Sequence, residues 1–178
     1  SIAPYNPEPV QQLVTTAAKR WPRKTAIVDG DRQITFAELD AYSSRLGAAL
    51  AGLGISKGDF VGILAPNCIE FEVGFFGILK AGATVTTINS GYRERETAAQ
   101  LNASGAPVLI VHRDLVKMAE LAAKDVPALQ RSIVITDNAD DAESFWGLID
   151  RASTEPPTFA VDAAHDLAAL PFSSGTTG

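Results

Sequence analysis

Four short apolar runs recur along this chain, at residues 60–64, 83–88, 108–111 and 133–135, each separated from the next by a longer stretch of helical periodicity. Runs of this length, bounded by turn residues, read as strands buried on both faces. Short buried strands that alternate with helices assemble as a mainly parallel sheet flanked by helices, because parallel neighbours need a crossover between them. The expected fold class is therefore α/β. The 178 residues, 46% hydrophobic and 20% charged, fit one domain with a sizeable core.

The stretches between these runs carry start and stop signals. A proline-rich arm with Pro4, Pro7 and Pro9 precedes a helix from Val10 to about Arg20, with Leu13, Val14, Ala17 and Ala18 on one side and Pro22 as its stop. Residues 25–28 and 33–35 read as two strands around the turn signal Asp29-Gly30-Asp31. Thr35 and Glu38 form a capping-box pattern. It opens a helix whose Phe36, Leu39, Leu46, Leu50 and Leu53 share one face and whose stop is Gly54. Asn67, with Glu70 three residues on, is read as the cap of the next helix, which is apolar nearly all round and so deeply buried. A further helix runs to about residue 103, its charged start at 92–96 being a solvated face. Another turns Leu115, Met118 and Ala122 inward, and residues 145–149 form a short one.

Several functions are excluded or set aside. A net charge of −6, with no basic stripe, argues against nucleic acid as a partner. The lone cysteine, Cys68, permits no internal disulfide and suits a reducing compartment. The most apolar stretch, 71–83, carries Glu72 and Lys80, so no membrane span is expected; no leader pattern opens the chain. The expected location is the cytoplasm. There is no Gly-x-Ser-x-Gly elbow and no Cys/His metal spacing, and Gly52-x-Gly54 follows a helix and lacks a third glycine. Cys68 is read as a structural thiol, His112 at a strand end as a surface or packing residue, His165 as exposed, and Asp140 and Asp141 as solvated loop carboxylates.

The last residues read differently. An apolar strand, 167–172, stops in a loop of glycine, serine and threonine alone: Ser173, Ser174, Gly175, Thr176, Thr177 and Gly178. Two glycines let the main chain approach a ligand closely. Successive N–H groups can converge into an anion-binding nest, and four hydroxyls add donors for phosphate oxygens and ligands for a metal. The competing reading is a flexible Ser/Gly/Thr linker; against it, the loop follows an apolar strand directly and no low-complexity tract continues. The loop is no Walker A motif, since Gly-Lys-Ser/Thr is absent from the chain.

Pro171-Phe-Ser-Ser-Gly-Thr-Thr-Gly178 resembles the first part of the phosphate-binding signature of the acyl-adenylate-forming (AMP-binding) superfamily. The family signature continues into Pro-Lys-Gly beyond Gly178. Ile34-Thr-Phe-Ala-Glu-Leu-Asp40, Leu53-Gly-Ile-Ser-Lys-Gly-Asp59 and Ile78-Leu-Lys-Ala-Gly-Ala83 are similar to family patterns in the same order. Val85-Thr-Thr-Ile-Asn89 and Leu170-Pro-Phe-Ser-Ser point to the 4-coumarate–CoA ligase-like branch of acyl-CoA synthetases, although Ser90 stands where members often carry proline.

The resemblance implies an ATP-dependent carboxylate–CoA ligase that makes an acyl-adenylate and pyrophosphate, then acyl-CoA and AMP. It implies that Ser173, Ser174, Gly175, Thr176, Thr177 and Gly178 line the triphosphate, with Thr176 and Thr177 as candidate ligands of Mg2+. The substrates would be ATP, CoA and a carboxylic acid, either an aryl-propenoate or a fatty acid, and a homo-oligomer is a candidate assembly. Residues 1–178 would be the N-terminal portion of the large domain, catalytically inert alone and with no catalytic residue of their own. Two alternatives stand beside this: a non-catalytic module needing a complementary chain, and an adenylation domain with a different acceptor.

Overall fold

The computed structural model describes residues 8–136, 141 and 143–172. Its centre is a parallel sheet of β3 (Phe60–Leu64), β4 (Thr84–Ile88), β5 (Val108–His112) and β6 (Arg131–Ile135), in the order β4-β3-β5-β6. Before it, β1 (Thr25–Asp29) and β2 (Arg32–Thr35) form an antiparallel hairpin turned at Gly30, whose φ of 58° suits glycine. The α/β expectation from the apolar runs holds strand by strand, with ends shifted by no more than two residues.

The strand order explains where the helices lie. The helices are α1 (Val10–Arg20), α2 (Phe36–Gly52), α3 (Ile69–Lys80), α4 (Glu94–Ser104), α5 (Val116–Ala123) and α6 (Phe145–Arg151). The chain steps from β3 outward to β4, then back across β3 to β5 and on to β6. Right-handed crossovers running in opposite directions put their helices on opposite faces. One core accordingly packs Leu46, Leu50, Val73 and Ile78 of α2 and α3 against Val61, Ile63 and Val85. The other packs Leu101, Ala119 and Ala122 of α4 and α5 against Leu64, Leu109 and Val111.

Small residues set the closest approaches. A Cβ added to Gly77 of α3 would stand 2.7 Å from Leu46 Cδ2 of α2, so these helices touch where glycine leaves room. One added to Gly62 of β3 would stand 2.9 Å from Leu109 Cδ1 and 3.1 Å from Leu101 Cδ2, so α4 also lies close on its sheet. Lys80, at the end of α3, is buried, and its three ammonium protons find Asp40 Oδ1 at 2.6 Å, the Asp40 carbonyl at 2.9 Å and Ser44 Oγ at 3.0 Å. Burial pulls its pKa down and the Asp40 carboxylate opposes that.

Two local expectations are corrected. Asn67 does not cap α3: the N-cap is Cys68, with no side-chain cap bond, and the Ile69 N–H is met by Asp29 Oδ2 of the hairpin at 3.3 Å. Glu70 turns away from that role because Arg32 and the Trp146 indole N–H claim its carboxylate. Leu13 does not face the core either; it is 57% exposed, while its neighbour Val14 is buried. By contrast the Thr35–Glu38 capping box forms in full.

Candidate functional site

The carboxyl ends of the strands in an open parallel sheet are where ligands bind. At that end lies a cleft of about 600 Å³ between the loops that leave β3 and β4 and the chain at Pro171 and Phe172. Asn67, Phe71, Asn89, Ser90 and Tyr92 line it. The loop after β4 is shaped by Asn89, whose Oδ1 accepts from the Gly91 N–H at 2.9 Å, the turn geometry a short Asx side chain favours. The wall is mixed: aromatic rings from Phe71, Tyr92 and Phe172, with amide and hydroxyl groups from Asn67, Asn89 and Ser90.

The segment before the predicted phosphate loop pairs with the free edge of β4. Val85 N–H donates to the Ala168 carbonyl at 3.1 Å and Leu170 N–H to the Val85 carbonyl at 2.8 Å, a parallel bridge centred on Val85 and Ala169. The expected strand over 167–172 is thus far shorter, a single bridge. Pro171 contributes to this, having no N–H for a ladder. Two side chains of β4 supplement the backbone pairing: Thr84 Oγ1 donates to the Leu167 carbonyl at 2.8 Å, and Thr86 Oγ1 to the Leu170 carbonyl at 3.0 Å.

Ser173, Ser174, Gly175, Thr176, Thr177 and Gly178 lie outside the described residues, and so do Pro4, Pro7 and Asp140. What the structure does place is the anchor of that loop: Phe172, its covalent neighbour, stands in the cleft wall.

The other candidates are accounted for locally. The Cys68 thiol is pushed up to about 11, chiefly by burial, so it is protonated near neutrality and no nucleophile. His112 ends β5, its imidazole only 18% exposed, and its Nδ1 accepts from the Asp114 N–H at 3.4 Å, capping the 3-10 turn Arg113–Leu115. His165 is exposed and bonded to Asp162 at 2.8 Å, on the flank of a different cavity at the amino ends of β3 and β4. Asp141 Oδ1 accepts from the Glu143 N–H at 3.0 Å as a turn former. Among the described residues no group of three His, Cys, Asp or Glu side chains is placed to hold a metal, and no helix is long and apolar enough to cross a membrane.

The sequence reading missed Thr84, Thr86 and Gln100. Residues 83–88 read only as a strand rich in Val and Thr, and 92–96 only as the charged start of a helix. The signal was present: Thr97, Gln100, Leu101 and Ser104 follow the spacing of one inward helical face, and all four are buried. A glutamine in such a stripe needs partners.

Comparison with known proteins bears on the same stretch. The family model described as "AMP-binding enzyme" matches residues 14–178. The chain is 35% identical to 4-coumarate–CoA ligase 5 of Oryza sativa subsp. japonica over 87% of its own length and 28% of the relative's. It is 29% identical to a long-chain-fatty-acid–CoA ligase of Bacillus subtilis over 95% of its length and 35% of the relative's. Among solved structures, the anthranilate CoA ligase AuaEII in complex with anthranoyl-AMP superposes with a TM-score of 0.84 at 31% identity, covering 98% of this chain and 32% of that one. The chain therefore spans about a third of the length of the proteins it matches.

Proposed function

Because this chain belongs to the AMP-binding enzyme family, with the α/β fold of the N-terminal part of adenylate-forming enzymes, we propose that the protein carrying it is an ATP-dependent carboxylate–CoA ligase. One observation in the structure supports this reading above others. Residues 168–170 pair in parallel with the outer edge of β4, so the Ser/Gly/Thr sequence begins one covalent bond beyond Phe172, in the wall of the cleft at the carboxyl ends of the strands.

A carboxylate is a poor electrophile, and adenylation gives its carbon a good leaving group. A carboxylate oxygen attacks the α-phosphorus of ATP, and the bond to the pyrophosphate oxygen breaks. The thiolate of CoA then attacks the acyl carbon and AMP leaves. In this reading Ser173, Ser174, Gly175, Thr176, Thr177 and Gly178 hold the β- and γ-phosphates by N–H and hydroxyl donors, work that consists of positioning and charge stabilisation. Mg2+ is implied with the nucleotide. The oxygen donors of Thr176 and Thr177, together with phosphate oxygens, are the donor set this hard cation prefers.

The acid is proposed to be aromatic, in line with the 4-coumarate and anthranilate enzymes at 35% and 31% identity; a fatty acid is the rival, since a long-chain-fatty-acid–CoA ligase of Salmonella typhimurium is 40% identical over 61% of the chain. The aromatic rings of Phe71, Tyr92 and Phe172 in the cleft wall agree with an aryl occupant nearby. Residues 1–178 are proposed to form the N-terminal portion of the large domain and to be inert alone. A cytoplasmic location goes with this reading.

The test is acid-dependent exchange of labelled pyrophosphate into ATP by the whole protein, with aryl-propenoates, benzoates and fatty acids as a panel. Exchange with the aryl acids is expected, followed by acyl-CoA on addition of CoA; no exchange with any acid overturns the ligase reading. Thr176→Ala and Thr177→Ala should weaken ATP use far more than they disturb folding.

A further inference from the structure

We propose that Thr86 and Gln100 are positioning residues for the phosphate loop, acting through the Leu170 carbonyl; this rests on the nucleotide-binding reading of residues 173–178. The Gln100 amide is buried on α4 against the edge of the sheet. Its Nε2 lies 3.0 Å from the Thr87 carbonyl and 2.8 Å from Thr86 Oγ1. A carbonyl only accepts, so the group facing Thr87 is the NH2. The same nitrogen faces the Thr86 hydroxyl, which must therefore accept from it. That leaves the one hydroxyl proton of Thr86 for the Leu170 carbonyl, 3.0 Å away.

The chain of bonds has a fixed direction, from amide to hydroxyl to carbonyl, and each member is satisfied only if the next is in place. Thr86 is fully buried and Gln100 is 3% exposed, so water cannot substitute for a missing partner without a cavity to hold it. Leu170 is the residue whose N–H completes the bridge to Val85, and three residues later the loop begins. The backbone pairing here consists of two hydrogen bonds, and the hydroxyls of Thr84 and Thr86 double that number. A shift of the Leu170 carbonyl would carry straight into the donors that meet the triphosphate, where misplacement by about 1 Å costs on the order of a hundredfold in rate.

Close packing puts Gln100 within reach. Thr86 pairs with Gly62 in register, and it is the bare Gly62 that lets Leu101, next to Gln100, come within 3.1 Å of where a Cβ would stand.

The experiment compares Thr86→Val, Thr86→Ser, Gln100→Met and Thr176→Ala in the whole protein, reading KM for ATP and for the acid separately in pyrophosphate exchange, with melting temperature alongside. Thr86→Val keeps the shape and loses the donor. It should raise the ATP KM about tenfold while the acid KM stays within about twofold. Thr86→Ser keeps the hydroxyl and should restore the ATP KM, and Gln100→Met should resemble Thr86→Val. Equal rises in both constants, failure of serine to restore, or an unchanged ATP KM in Thr86→Val overturns the inference. If Thr86→Val does not fold, the serine and methionine variants decide it by the same criterion. If Thr176→Ala leaves the ATP KM unchanged, the nucleotide reading of the loop fails; if that variant responds and Thr86→Val does not, only the positioning role fails.

Discussion

Arg32 closes on both oxygens of the Glu70 carboxylate, Nη1 to Oε1 at 2.7 Å and Nη2 to Oε2 at 3.0 Å, and so fastens the β1–β2 hairpin to the first turn of α3. Trp146 of α6 adds its indole N–H at 3.2 Å, and Asp29 Oδ2 accepts from Arg32 Nη2, the nitrogen that also meets Glu70 Oε2, at 2.6 Å. Glu70 is buried and Arg32 half exposed, so the two partners are not equivalent. Removing Arg32 strands a buried carboxylate; removing Glu70 leaves a cation that can reach water.

Arg32→Ala should therefore cost more stability than Glu70→Gln, about 3 kcal/mol against about 1 kcal/mol. The pH dependence should also change sign. Burial pushes the Glu70 carboxyl up, but the Arg32 bonds outweigh it and hold the carboxyl below its ordinary 4.5. In the native protein this group stabilises above that value, and the contribution is lost as pH falls through the lowered folded pKa. Without Arg32, burial alone would raise the folded pKa, and stability would fall as pH rises past 4.5. Urea unfolding at pH 3.5, pH 5 and pH 7 checks both the order and the sign: the native protein should gain stability from the lowest pH to pH 5 and the Arg32→Ala variant should lose it from pH 5 to pH 7, and equal slopes in the two proteins would contradict this.

Gly77→Ala should destabilise by about 1–3 kcal/mol, since the new methyl would meet Leu46 at 2.7 Å across the α2–α3 contact. Adding Leu46→Val to that variant should recover only a small part of the loss, because the Leu46 Cβ and Cγ positions, which valine keeps, also stand 2.9 Å from the new methyl. The double variant's urea midpoint is the measurement, and simple additivity of the two losses would show that the contact relaxes elsewhere.

Cys68 should resist alkylation. With its thiol pushed up to about 11, its thiolate fraction at pH 7.5 is on the order of a hundredfold below that of an ordinary cysteine. Iodoacetamide labelling of the native protein should be slow and should rise steeply with pH up to that value. Rapid labelling at pH 7.5 would refute the placement of the thiol against α3.

Thr35→Ala should cost about 1 kcal/mol through loss of the α2 cap. The Glu38 carboxyl, held below its usual range by the Thr35 N–H and hydroxyl, stabilises above about pH 4.5, and the contribution fades as pH falls through its lowered folded pKa. The Glu38→Gln, Thr35→Ala protein lacks that contribution at every pH, so in urea unfolding it should lose less stability between pH 5 and pH 3 than the native protein does, and an equal or larger loss would contradict this.

Strands and helices were legible because their signals are local. Apolar runs such as 60–64, the Thr35–Glu38 spacing and the Asp29-Gly30 turn are complete within a few residues. The features that differ from the sequence expectation depend on distant partners. Asn67 looks like a cap until Asp29, 40 residues away in sequence from Ile69, supplies the acceptor instead. Leu13 looks inward on a helical wheel, but Val14 beside it takes the place against the core. At the site, the glycine-rich motif was readable as composition, whereas its supports Thr86 and Gln100 were not, because a hydroxyl and an amide acquire meaning only from the carbonyls they meet.

The bridge between β4 and residues 168–170 also has a consequence in time. Thr84 and Thr86 reach carbonyls 83 and 84 residues later in the chain, whereas β3 and β4 pair across one helical crossover. Contacts of such long sequence separation bear the largest loop-closure entropy and tend to form late. During synthesis β3 to β6 leave the ribosome before residue 168 does, so a sheet can assemble with the outer side of β4 still open. The segment that leads into the Ser/Gly/Thr motif then docks on a finished template, and the order of assembly follows the order of translation.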